Sequence, residues 1–213
     1  MQALERIEFS NNWLTLTFIF YIVLLFALKI INPQKLSAYS KAFFLKGFIE
    51  KKVEERASFF TGFNLVLYVF SVLIFALLLT LSLAHFSADI DATFQLYVKV
   101  ILFSLLYFSA FFGLDIALSY LLETRGILAH IISAKTAYFY NSALFLFPFL
   151  VLVTYSSVNF YALLIVGLVL FVLSFVLTFI NNKNLIISKL FYFILYICAL
   201  KITPLLIIYK ITV

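Results

Sequence analysis

Long apolar stretches broken by short charged or turn-prone segments are the feature that most limits what this chain can become. A helix that crosses the hydrocarbon layer needs about 20 mostly apolar residues. Six such stretches occur, at roughly 12–31, 60–83, 94–121, 139–154, 159–180 and 190–211. The breaks between them are a basic connection at 32–58, then His85 to Asp91, Glu123 to Lys135, Tyr155-Ser156-Ser157, and Asn181-Asn182-Lys183-Asn184. Composition agrees: 66% of residues are apolar, 11% are charged and the mean hydropathy is +1.18. A soluble domain carries about 45–50% apolar and about 25% charged residues. Too few charges remain here to cover a water-facing surface, and a disordered chain is excluded for the same reason. The single cysteine, Cys198, excludes an intramolecular disulfide and a cysteine metal cluster.

In lipid every backbone polar group must be bonded internally, so a spanning segment is a helix or a strand of a closed barrel. Barrel strands alternate polar and apolar residues over roughly ten positions. The run Ala162-Leu163-Leu164-Ile165-Val166-Gly167-Leu168-Val169-Leu170 does not alternate. The pattern therefore predicts an all-α, polytopic transmembrane helix bundle forming a single membrane domain over residues 1–213, with six spans. Pro148 falls inside the fourth span and Pro204 inside the sixth, where each removes one helical hydrogen bond and favours a kink.

Orientation follows from the basic residues, which accumulate in cytoplasmic loops. The first connection holds Lys35, Lys41, Lys46, Lys51, Lys52 and Arg56, the third Arg125 and Lys135, and the fifth Lys183 and Lys189. The second connection has Asp89 and Asp91 without a basic residue, and the fourth has no charge. Odd connections thus face the cytoplasm and both termini lie on the opposite side, as an even number of spans requires. Glu5, Arg6 and Glu8 precede the first span and do not make the basic start of an export signal, so this span reads as uncleaved. The net charge of +6 then reflects membrane orientation, and no nucleic-acid partner is expected.

The basic connection interleaves its lysines with Tyr39, Phe43, Phe44, Leu45, Phe48 and Ile49. Such a mixture suits an anionic headgroup layer. It predicts an interfacial piece near 36–48, then a helix from about Glu50 into the second span. Lys41, Lys46, Lys51, Lys52 and Arg56 form a candidate surface for docking a partner or lipid, although an ordinary positive-inside loop lying on the membrane is the simpler account of them. In the third connection Ile127, Leu128, Ile131 and Ile132 recur at helical spacing beside Arg125, His130 and Lys135, which predicts a short amphipathic helix in the interface.

Ionisable groups within spans are costly unless paired or wetted. Three stand out: Lys99, Asp115 and Lys201. Lys99 is near enough to the outer end of its span to snorkel. Asp115 lies about six residues from the inner end of the third span, about 9 Å deep at 1.5 Å per residue. Lys201 is near the middle of the sixth span, and its height differs from that of Asp115 by about 7 Å, within reach of a lysine stem. An Asp115–Lys201 ion pair is the expectation, either as a coupling site for protons or an anionic substrate or as a static tie between helices. Ser109, Gly113 and Ala117 repeat every four residues on the third span, a ridge on which another helix can pack. Asp115 is about 200° round from Gly113, so the third span is central if both faces meet protein.

Catalytic signatures are absent. The sequence holds no phosphate-binding glycine loop, no H-E-x-x-H zinc motif and no G-x-S-x-G nucleophile motif. Its five glycines and two histidines supply neither a phosphate cradle nor a histidine-rich metal site. No cofactor, no metal and no catalytic residue is expected. Glu54-Glu55-Arg56 is superficially like the glutamate pair of membrane proteases that process prenylated proteins, but Phe59 stands where that motif needs an arginine.

The closing run Leu195-Tyr196-Ile197-Cys198-Ala199-Leu200-Lys201-Ile202-Thr203-Pro204-Leu205-Leu206 resembles the final span of an uncharacterised bacterial integral-membrane family. That family, a domain of unknown function typical of Bacteroidota envelopes, also has an early tryptophan in its first span, Trp13 here, followed by a basic connection. The resemblance implies a multi-pass protein of the bacterial inner membrane and carries over no functional residue. The expected function is a non-enzymatic inner-membrane subunit or assembly partner of an envelope complex. Its partners are the lipid bilayer and a membrane or envelope protein. The alternative is a small membrane transporter or substrate-binding membrane subunit with a charged site inside the bundle.

Overall fold

The computed structural model describes residues 12–43, 61–87, 91–121, 125–156 and 159–181. It forms helices α1 (Asn12–Ile31), α2 (Pro33–Ser40), α3 (Gly62–Phe86), α4 (Phe94–Leu121), α5 (Arg125–Tyr155) and α6 (Phe160–Asn181), with no strand among the described residues. All but α2 are long and apolar enough to cross a membrane. Successive long helices joined by short breaks run antiparallel. The chain is an all-α protein compatible with a multi-pass membrane bundle. The predicted sixth stretch, 190–211, lies outside the described residues.

Local chemistry explains the breaks. Pro33 disfavours helical geometry at Asn32, which is extended at φ −160° and ψ 93°. Asn32 then caps the next helix by accepting from the Lys35 backbone N–H at 2.9 Å, with proline at its first position. Thr93 accepts from the Leu96 N–H at the start of α4, and Asn159 from the Tyr161 N–H at the start of α6. Within the spans, hydroxyls turn back on their own helices. Thr17, Ser71, Thr80, Thr136, Ser142, Thr154, Ser174 and Thr178 each donate to the carbonyl four residues earlier. This meets their hydrogen-bonding needs where no water is available.

The centre of the bundle is α3, which packs against α1, α4 and α5. Leu67, Phe70, Ile74, Ala76 and Leu77 on it are fully buried. Phe139 of α5 stacks on Phe75 of α3 with centroids 5.0 Å apart and meets Phe108 of α4 at 4.9 Å. Tyr21 and Phe18 of α1 pack against Phe147 of α5. Helix α6 touches α5, to which a Ser142–Ser174 hydroxyl bond of 2.9 Å ties it, and exposes most of its surface.

Two expectations change. The amphipathic helix predicted around 127–135 is not a separate interfacial piece. It is the opening of the 31-residue α5, continuous with the predicted fourth span. Ile132, Ser133, Ala134, Ala137 and Tyr138 are buried, so from Ile132 onward this helix packs in the bundle. At 1.5 Å per residue α5 is about 46 Å long, more than the ~30 Å hydrocarbon layer, so it extends beyond it. Second, α3 takes the central place considered for the third span. On that span, now α4, Ser109 and Gly113 are exposed, and among the described residues nothing lies within 4 Å of a Cβ placed on Gly113.

Candidate functional site

Helices α4 and α5 form a hairpin around the short break at 122–124, and this brings Asp115 to Lys135. The Lys135 Nζ donates to Asp115 Oδ2 at 3.1 Å and to Oδ1 at 3.4 Å. The two side chains are 14% and 27% exposed for Asp115 and Lys135 respectively. Helix geometry accounts for the match. Counting from the shared break, Asp115 is about 9 Å along α4 and Lys135 about 15 Å along α5, and the lysine stem spans the remainder. A charge-assisted pair of this kind, mostly withdrawn from solvent, can fix helix neighbours or exchange a proton or an anion.

A second polar region joins the short helix α2 to the bundle. Asn141 of α5 is fully buried, and its Nδ2 donates to the carbonyls of Tyr39 at 2.7 Å and Ser40 at 3.2 Å. Those carbonyls belong to the last turn of α2, where the Tyr39 carbonyl also accepts from the Ala42 N–H at 3.2 Å. The Tyr39 hydroxyl donates to Asn64 Oδ1 at 3.3 Å, and the Tyr140 hydroxyl to the Asn64 carbonyl at 3.4 Å. Tyr39 also stacks on Phe63 and meets Tyr140 edge-on. Lys35 on α2 and Lys41 just beyond its last turn are exposed.

A third cluster begins at mid-span, at Tyr21 and Leu73, and continues toward the opposite end. The Tyr21 hydroxyl donates to the Leu73 carbonyl at 3.1 Å and shares a hydrogen bond with the Tyr97 hydroxyl, joining α1, α3 and α4. Trp13 packs beside Tyr97 and Phe94. His85 lies 4.5 Å from Phe160 and 5.3 Å from Tyr161, ring to ring. Rings at this level match the aromatic belt of a membrane interface.

The family model of DUF4271, a domain of unknown function, matches residues 14–212. The chain belongs to the DUF4271 family. No curated protein and no solved structure matches it. The match spans both polar regions and all five long helices, so they are parts of one family domain.

In this DUF4271 chain the expected candidates fall as follows. Lys99 is exposed on α4, five residues after Phe94. Lys41 is exposed beyond the last turn of α2, and Ala117 follows Gly113 by one turn of α4. Lys46, Lys51, Lys52, Arg56 and Lys201 lie outside the described residues. Among the described residues Asp115 pairs with Lys135, which ends the basic connection Glu123 to Lys135 of the sequence pattern. The signal for it existed: Asp115 and Lys135 flank one break at comparable distances. The polar run Ser133-Ala134-Lys135-Thr136-Ala137 hid it by ending the apolar count too early. Asn141, Asn64 and the tyrosines were missed because single amides and phenols within spans have no distinctive spacing. Among the described residues no group of His, Cys, Asp and Glu is placed to hold a metal ion.

Proposed function

We propose that this DUF4271 protein is a non-enzymatic inner-membrane subunit or assembly partner of an envelope complex, with α2 and the end of α5 nearest Arg125 facing the cytoplasm. The observation that carries this reading is the use made of the intramembrane polar groups. Asp115 and Lys135 bond to each other, Tyr21 bonds to Tyr97, and Asn141 bonds to the end of α2. Each contact joins two helices, which is the pattern of a scaffold. Basic Lys29, Lys35 and Lys41 gather at one end, and Trp13, Phe94 and Tyr155 at the other, which supports the orientation. Exposed Lys35 and Lys41, on and just beyond α2, are the part of the described chain suited to a cytoplasmic or headgroup contact.

The test is purification of the tagged protein at native abundance from native membranes in gentle detergent, followed by mass spectrometry. A partner recovered in fixed ratio is expected. A protein that runs alone overturns the reading. The partial exposure of Asp115 and Lys135 favours a second reading, a small transporter or substrate-binding subunit whose charged site is this pair. Under it, Asp115→Asn abolishes the cellular phenotype without lowering protein abundance. Under the scaffold reading, abundance falls with it.

A further inference from the structure

Four buried side-chain oxygens among the described residues have no hydrogen-bond partner, and Thr61 Oγ1, Tyr68 Oη and Asn141 Oδ1 are three of them. Thr61 and Tyr68 belong to the start of α3 and Asn141 to α5, the two helices that α2 joins. Thr61 begins α3, Asn64 and Tyr68 follow at one-turn intervals, and α2 bridges Asn64 to Asn141 through Tyr39. The Tyr140 hydroxyl lies within electrostatic reach of Tyr39 and Tyr68. The two hydroxyl bonds that the junction makes to Asn64 are long. Tyr39 to Asn64 is 3.3 Å and Tyr140 to Asn64 is 3.4 Å, against the 2.7–2.8 Å usual for a hydroxyl donor.

Unmet oxygens are expensive in surroundings this apolar, and native interiors satisfy them with protein groups or with ordered water, which makes about three bonds. The chemistry here specifies the occupant. Asn141 Oδ1 only accepts and so needs a donor, while the Tyr68 and Thr61 hydroxyls each have a proton to give. The side chains that form the junction are amides, phenols and a hydroxyl, so no formal charge calls for an ion. The Tyr39 ring touches both the Phe63 and the Tyr140 rings, with centroids 6.0 and 5.6 Å apart, so the aromatic side of the junction is filled.

We propose that ordered water occupies the junction of α2, α3 and α5, hydrogen-bonded to Asn141 Oδ1, Tyr68 Oη and Thr61 Oγ1, so that α2 roofs a hydrated recess at the lysine-bearing end of the bundle. The recess accounts for the long hydroxyl contacts to Asn64 and for the unmet oxygens on the two helices that α2 joins.

X-ray radiolytic footprinting of the full chain in lipid nanodiscs tests this directly, because hydroxyl radicals form from bound water and label the side chains beside it. Tyr140 and Tyr97 are equally withdrawn from solvent, at 4% and 3% exposed. Tyr140 should be labelled several-fold faster than Tyr97, whose hydroxyl is bonded to Tyr21. In the same nanodiscs Tyr68→Phe should lower the melting temperature by about 2–4 °C, the shift expected for one lost water-mediated bond in a chain of this size. Equal labelling of Tyr140 and Tyr97 overturns the proposal and needs no variant. An unchanged or raised melting temperature for Tyr68→Phe also overturns it, because deleting a hydroxyl that has no partner relieves the fold.

Discussion

Neutralising Asp115 probes the contact that joins α4 to α5. At 3.1 Å and an effective dielectric constant of 20, two unit charges attract by about 5 kcal/mol. Withdrawing both groups from solvent cancels most of that gain. A pair with exposures of 14% and 27% is therefore expected to show a net coupling of about 1–2 kcal/mol. Removing one member also leaves the other without its counter-charge in an apolar setting. Asp115→Asn and Lys135→Met should each lower the thermal midpoint by several degrees, at about 2–4 °C per kcal/mol. The double variant Asp115→Asn/Lys135→Met should lose less than the sum of the two, by at least about 2 °C. Thermal unfolding in nanodiscs, run as a double-mutant cycle, reads this directly. Additivity within about 0.5 kcal/mol would refute the reasoning, since independent sites add to that tolerance.

The tyrosine pair gives an ordered prediction: Tyr21→Phe strands the Tyr97 hydroxyl and should cost about 1–2 kcal/mol, whereas Tyr97→Phe leaves Tyr21 bonded to the Leu73 carbonyl and should cost less. Equal melting temperatures for the two variants would contradict that order. Asn141→Ala removes both bonds to the last turn of α2, so amide exchange over residues 36–42 should accelerate about tenfold while α3 is unchanged. Unaltered exchange there would show that α2 is held by Tyr39 and its ring contacts alone. A Cβ at Gly167 meets Leu78 and Leu146 at 3.7 and 3.9 Å, ordinary contact distances, so Gly167→Ala should be neutral or stabilising by up to about 1 kcal/mol in a thermal melt. A marked loss would mean that α6 sits closer to α3 and α5 than described.

Helix content and most helix boundaries were legible because they depend on short-range chemistry. Asn32-Pro33 ends one helix and starts the next whatever surrounds it. The apolar runs at 12–31, 94–121 and 159–180 are helices within a residue or two of those limits. A helix at the start of α5 was legible in the spacing of Ile127, Leu128, Ile131 and Ile132, but its continuity with the fourth span was not. The turns between them are weakly apolar, and whether a helix runs through such turns is decided by what it packs on. Here Tyr138 meets Phe43 and Phe139 meets Phe75, contacts with partners far away in sequence. Asp115 was recognisable alone because a carboxylate at that depth is anomalous. Lys135 was passed over as a partner because α5 begins at Arg125, well ahead of the apolar run that the sequence marks.

The sequence by itself determined that this chain is helical, membrane-embedded in character and basic at one end, because apolar length and charge placement act through the solvent and need no tertiary contact. The tertiary structure decided which helix is central, that Lys135 meets Asp115, and that Tyr39, Asn64, Tyr68, Tyr140 and Asn141 converge beneath α2. Those outcomes depend on the rotation and height of each helix against its neighbours. In an all-apolar chain, side-chain packing sets them, and helical periodicity carries no record of them.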